Sequence, residues 1–293
     1  MTAIPVPAAV PAKADGTDAA VTIPRERQVL GLAVSTWPKI LAPVFIGLVS
    51  LSLWEIAVRA YGVPAYILPG PILILKTLIK DWHTLSTSLW VTLQITFFAL
   101  TIAASLGVFI SVLFSQSKWI ELSFFPYAVI LQVTPIVAIA PLIIIWVDDI
   151  RVALLICAWI VAFFPILSNT TLGLNSADHN LLNLFQLYGA SRGQVLRHLR
   201  IPAAMPYFLG GLRISGGLSL IGAVVAEFVA GTGGRASGLA YRILESGYQL
   251  QIPRMFAALL LISLTGITIF LCLSFVSHLA LRKWHESAIR REN

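Results

Sequence analysis

The chain has 293 residues, of which 58% are hydrophobic and only 11% charged, with a formal net charge of +7. A soluble protein of this length carries about 25% charged residues, so the missing water-facing surface is read as facing lipid. The basic residues are spread between apolar runs, which argues against a nucleic-acid-binding face, and the two cysteines, Cys157 and Cys272, read as small core residues rather than metal ligands.

Residues 1–36, rich in Ala, Pro and small polar residues, lack an apolar run long enough for a signal peptide and are expected to form a disordered tail. Arg25, Arg27 and Lys39 precede the first apolar span, Leu41–Val58, and should hold that end in the cytoplasm. Glu55 and Arg59 are four apart on one helical face, the spacing of an interfacial ion pair. From Gly62 to Leu85, prolines 64, 69 and 71 forbid one continuous helix and predict an external loop with a short surface helix.

Ser86–Phe114 is the second span. The third, Leu122–Val147, contains Pro126, Pro135 and Pro141. Prolines at this spacing bend or break a helix and expose carbonyls, a defect tolerated only against protein or a water-filled cavity. Pro135 and Pro141 are therefore candidates to line a passage, with simple kinked packing as the alternative. Asp148, Asp149 and Arg151 form a polar turn before the fourth span, Val152–Leu172, itself kinked at Pro165.

The stretch LYGASRGQVLRHLRIPAAMP, Leu187–Pro206, differs from everything around it. Arg192, Arg197, His198 and Arg200 fall within nine positions, after a glycine turn at Gly189 and before Pro202 and Pro206. The pattern predicts a short helix with Val195, Leu196 and Leu199 on one side, which makes a docking surface for a soluble partner or for headgroups. Gly189 followed by Leu199-Arg200-Ile201-Pro202, within the run GASRGQVLRHLRIPAAMPYFLGGLRI, resembles the loop by which importer-type ABC transporter permeases dock into their ATP-hydrolysing subunit. It is similar to the branch that serves nitrate, sulfonate, taurine, bicarbonate and pyrimidine-type thiamine-precursor substrates. Where that family carries Glu-Ala-Ala, this chain has Asn183, Leu184 and Phe185. LPGP at Leu68–Pro71 resembles another element of the family.

Pro206–Ala230 is the fifth span, with glycines at 210, 211, 216, 217 and 222 that suit tight helix packing or a dimer seam. It holds two charges. Arg213 is read as lying near the cytoplasmic end, able to snorkel, and Glu227 near the outer end, where it would cap a passage, meet a binding protein or lie at the interface. Residues 231–254 read as a polar loop and GTGG as a turn; Met255–Leu281 is the sixth span, and residues 283–293 form a short cytoplasmic tail. With both termini inside, most of the Lys and Arg fall on the cytoplasmic side.

The fold class expected is all-α: a polytopic membrane bundle of about six spans over 37–282, with a cytoplasmic coupling helix between the fourth and fifth. No catalytic or metal constellation is evident, and no cofactor is expected. The resemblance implies a permease subunit in a bacterial inner membrane. Its expected partners are cytoplasmic ABC ATPase subunits, an external solute-binding protein, a second permease copy and lipid. Gly189, Ala190, Ser191, Arg192, Gly193, Val195, Leu196, Arg197, Leu199 and Pro202 would form the docking loop, and Pro135, Pro141, Arg213 and Glu227 would border the path. The rival is a self-contained secondary carrier or channel, which would need paired carboxylates or histidines in mid-membrane.

Overall fold

Long apolar runs decide the architecture, because a helix is the simplest way for a lipid-facing segment to satisfy its own backbone. The computed structural model describes residues 28–29, 32–33, 37–231, 233 and 237–282. The expected tail at 283–293, and most of that at 1–36, lies outside the described residues. The chain divides into two units, 1–53 and 54–293.

In the first unit, β1 (Gln28–Val29) pairs antiparallel with β2 (Leu32–Ala33), and helix α1 (Trp37–Ala60) begins. The apolar stretch Leu41–Ala60 is long enough to cross a bilayer.

In the second unit, α2 (Pro71–Lys80) is the short helix expected between the first two spans, started by a proline at its first position. Asp81 ends it, and α3 (Trp82–Gln116) follows at once. The third span is two helices, α4 (Lys118–Val133) and α5 (Ile136–Trp146), bent by 99° at Thr134–Pro135. Thr134 is extended, as a residue before proline prefers, and Pro135 starts the new helix. The break expected from the prolines is therefore a sharp corner.

Helix α6 (Ile150–Asn175) starts where the Asp149 carboxylate accepts the Arg151 and Val152 amides, and it forms the centre of the core. It packs between α3 and α9 (Ile201–Ala230) through Ala153, Cys157, Ala158, Ala162, Ile166 and Leu167. Helices α6 and α9 are antiparallel and close. Gly173 meets Ala204, Gly211 meets the Pro165 carbonyl, and Gly222 meets Ala158. A Cβ at Gly222 would stand 2.9 Å from the Ala158 Cα. Small residues permit that approach, which then maximises dispersion contact in a setting without a hydrophobic drive. Ser215 Oγ donates to the Ala162 carbonyl at 2.6 Å and Ser111 Oγ to that of Leu167 at 3.0 Å.

Between α6 and α9 lie α7 (His179–Leu187) and a single turn, α8 (Arg192–Val195). Past α9, α10 (Leu239–Tyr248) and α11 (Ile252–Leu281) complete the chain. Among the described residues five helices, or six if the bent pair counts as one span, are long and apolar enough to cross a membrane.

Candidate functional site

The basic loop and Glu227 mark opposite ends of the bundle. Arg200 Nη1 donates to the carbonyl of Ser115, near the C-terminal end of α3, at 2.8 Å. Glu227 is bound to Thr92, near the start of the same helix. The intervening residues, from Thr92 to Ser115, span about 35 Å at 1.5 Å per residue.

At the Ser115 end, α7 is started by Asp178, whose carboxylate accepts the Asn180 amide. The chain then reverses at Gly189, whose φ of +66° is the left-handed conformation that glycine tolerates without strain. Ser191 and Gln194 form a reciprocal capping box that starts α8. Helix α8 runs without interruption through one π-helical turn, Leu196–Arg200, into α9, so Pro202 lies inside the first turn of a continuing helix.

The expected apolar side of this helix is covered only in part. Leu199 is only 9% exposed, and Val195 and Leu196 are half-buried, lining a hollow of about 250 Å³ with Ser115, Leu182, Gln186 and Arg200. Of the three, only Leu199 is buried in its own bundle. The apolar surface left open belongs to α7 and the turn: Leu181 and Leu184 are exposed, Leu187 is 85% exposed and Tyr188 83%. Gly189, Ser191, Arg192, Gly193 and Arg197 are exposed around them, with Ala190 half-buried and Pro202 partly buried. Sequence reading passed over α7 because attention went to the basic cluster, although Leu181, Leu184, Leu187 and Tyr188 recur at helical spacing.

At the other end, Glu227 is 3% exposed, so it lies neither at an interface nor on an open passage of this chain. Its Oε2 accepts the Ala240 amide at 3.0 Å and its Oε1 accepts from Thr92 Oγ1 at 2.8 Å, while that hydroxyl oxygen accepts the Leu239 amide at 2.9 Å. Leu239 and Ala240 are the first two residues of α10, whose leading amides have no partner within the helix. A carboxylate there meets both the free N–H groups and the positive end of the helix dipole. Gly238 sits so near Glu227 that a Cβ would collide with the carboxyl group. Arg242 of α10 donates to Ser88 Oγ at 2.9 Å and pairs with Glu245 at 2.8 Å.

Glu55 repeats the arrangement on α2. Its Oε1 pairs with Arg59 at 2.6 Å, as the spacing predicted, and its Oε2 accepts the Ile72 amide at 3.1 Å, again at the second position of a ten-residue helix. Gly70 precedes that helix, and its Cβ would stand 2.6 Å from Glu55 Oε2. Both short helices pack into one cluster, Ile74 of α2 and Leu239 and Ile243 of α10 against Leu85, Ala257, Ala258 and Leu261. Helix α10 falls where sequence reading expected a polar loop; the apolar quartet Leu239, Ala240, Ile243 and Leu244 was its signal.

Pro135 and Pro141 are exposed on the corner of the third span, where α5 buries Ala140 and Ile143 against α6 and α9. Arg213 is half-buried in α9, far from Glu227. Among the described residues no group of His, Cys, Asp and Glu is arranged to hold a metal ion.

Residues 103–286 match the family described as binding-protein-dependent transport system inner membrane component. The formylaminopyrimidine transport permease protein of Halalkalibacterium halodurans is 32% identical over 82% of this chain and 95% of its own length. The riboflavin transport system permease protein of Chloroflexus aurantiacus is 33% identical over 86% of this chain and 92% of its own. Among solved structures, an amino acid ABC transporter crystallised with histidines superposes with a TM-score of 0.57 at 20% identity, covering 71% of this chain and 97% of that one.

Proposed function

This chain belongs to the family of binding-protein-dependent transport system inner membrane components, and on that premise we propose that it rocks between two states when a cytoplasmic ATPase grips its Leu187–Pro206 loop. It is a multi-pass permease subunit of an ABC importer. In our reading both termini and the docking loop are cytoplasmic, and two copies form the permease. A soluble binding protein delivers a small solute, of the nitrate, sulfonate, taurine, bicarbonate or pyrimidine type, to the end where α2 and α10 lie.

The observation that carries this reading is the exposed apolar turn beside Gly189. Leu187 and Tyr188 present a large uncovered side-chain area, followed along the loop by the exposed Arg192 and Arg197, at the end of the bundle away from Glu227. An aromatic anchor within a polar rim is the form taken by the energetic centre of a protein interface. ATP-driven closure of an ATPase dimer would displace that anchor, and the unbroken helix from Arg192 to Ala230 would carry the displacement across the bundle.

The rival secondary-carrier reading needs paired carboxylates or histidines in mid-membrane. Glu227 and Glu55 are both engaged in starting helices of their own chain.

Co-purification tests the proposal. Leu187→Asp with Tyr188→Asp removes the anchor without touching the buried side of the loop. The variant should insert and fold as the parent does, yet lose the ATPase; retention of the ATPase at parental stoichiometry refutes the docking assignment. Leu196→Asp would be a poorer probe, because Leu196 is half-buried and its loss would also disturb the fold.

A further inference from the structure

Among the described residues Arg213 is a cation with no carboxylate partner, well inside the bundle. Its level follows from its neighbours. Gly211 lies against the Pro165 carbonyl and Ile166, and Ser215 reaches the Ala162 carbonyl. Arg213 is therefore level with about Pro165 of α6, roughly 15 Å from the Asn175 end and roughly 22 Å from the Ile150 end at 1.5 Å per residue. Either distance is longer than an arginine stem, though Arg213 lies nearer the end expected to be cytoplasmic.

The guanidinium carbon is 5.8 Å from the centroid of the Phe270 ring on α11. Its Nε is buried without a hydrogen-bond acceptor, and no carboxylate pairs with it among the described residues. A second polar atom is stranded at the same level. Helices α9 and α11 run antiparallel, with Gly216 against Ile269 and Leu273 and Leu220 against Gly266. Three residues back along α9 is Arg213, and the matching step along α11 reaches Ser274, one turn past Phe270 on the same face. Ser274 Oγ is also buried without a partner. Beside them the surface is open: Gly210 and Gly217, one turn to either side of Arg213, have nothing within 4 Å of where a Cβ would stand.

Two orphaned polar groups at one level of a membrane bundle require an explanation, since each costs free energy that a ligand would recover. An unpaired guanidinium exposed to lipid is costlier still, so this face must meet water, a solute or a second copy rather than lipid. We propose that Arg213 and Ser274 form a solute site on the translocation path, built for a small oxoanion. Two of its oxygens would accept from the guanidinium, in the paired geometry arginine offers, and a third from the Ser274 hydroxyl. The Phe270 ring would cover an apolar substituent. This assignment rests on the importer reading above and narrows its substrate class to anions.

The test uses the chain with its ATPase in nanodiscs of neutral lipid, at constant ionic strength set with sodium chloride. The unfolding midpoint is followed by tryptophan fluorescence during titration with sodium nitrate, sodium methanesulfonate or uncharged uracil. A saturable rise is expected with either oxoanion and none with uracil. Arg213→Gln should abolish it, Arg213→Lys should retain it weakened, and Ser274→Ala should raise the half-saturating concentration by about tenfold, the loss of one hydrogen bond to a charged group. No saturable rise in the parent, an unchanged rise in Arg213→Gln, or a response to uracil alone overturns the assignment. So does an Arg213 found paired with a carboxylate of a second copy in the assembled complex. Should Arg213→Gln fail to fold, the lysine and Ser274 variants still decide. ATPase co-purification, scored on the same samples, reports on the importer reading separately.

Discussion

Glu227 and Thr92 lie 135 positions apart in sequence and meet through a 2.8 Å hydrogen bond, and together they receive the first two amides of α10. The carboxylate thus ties three elements at one point. Glu227→Ala leaves the Ala240 amide buried and unpaired and the Thr92 hydroxyl without its acceptor. The expected loss is about 2–4 kcal/mol, the cost of orphaning buried groups that were bonded to a carboxyl. Hydrogen exchange provides the check: the Ala240 amide should exchange faster in the variant while amides in the middle of α6 keep their protection.

The two glycines that precede the capped helices should differ in tolerance. At Gly238 a methyl group collides with a Glu227 carboxyl that is buried and held by two helices, so Gly238→Ala is expected to cost about 1–3 kcal/mol. At Gly70 the obstacle is the end of Glu55, next to the exposed Arg59, and it can swing away. Gly70→Ala should cost less than half as much. Thermal unfolding of the two variants side by side measures the difference; equal losses would contradict the account of Glu227 as the more rigid cap.

Glycines along α9 make a similar internal comparison. Gly222→Val drives side-chain atoms into Ala158 and Val161 and should destabilise the bundle by about 1–3 kcal/mol. Gly217→Ala meets nothing in its own chain and gains helix propensity, so the isolated permease should be unchanged or stabilised by up to about 1 kcal/mol. Unfolding midpoints in nanodiscs should rank them in that order.

Arg200 fastens the start of α9 to the end of α3 through the Ser115 carbonyl at 2.8 Å. Arg200→Ala should cost about 1–2 kcal/mol, because a charge-assisted bond to a helix-end carbonyl is lost. Proteolysis can check where that energy resides: cleavage within 176–191 should accelerate while cleavage elsewhere does not. Uniform acceleration would mean that Arg200 supports the bundle generally.

How far the residues announced the structure varies with the physics involved. Apolar length alone located the spans, since lipid permits few backbone solutions, and Pro135 announced the corner of the third. Glu55 and Arg59 declared their pairing through four-residue spacing. Tertiary capping left no such trace, because no local rule says that Glu227 will serve a helix that starts at Leu239, across a loop and beside Thr92. The apolar side of the basic loop is a related case. Val195, Leu196 and Leu199 do form an apolar stripe, but periodicity reveals that a stripe exists and not which body covers it. Here Leu199 is covered, Val195 and Leu196 border a hollow with residues of α3 and α7, and the most exposed apolar area of the loop is at Leu187 and Tyr188.

From Arg192 to Ala230 the backbone runs through 39 residues with its helical path unbroken, passing Pro202 and Pro206 near its start. At 1.5 Å per residue that is a rod of roughly 58 Å, longer than a bilayer is thick. In our reading a displacement at the Ser191 cap would be carried along this rod toward Glu227 and the short helix seated there. The third span, cornered by 99° at Thr134–Pro135, has no such stiffness. Helix α3 and the Arg192–Ala230 rod both reach from the Ser115 end to the Glu227 end, so in our reading these two can carry leverage that the cornered third span cannot.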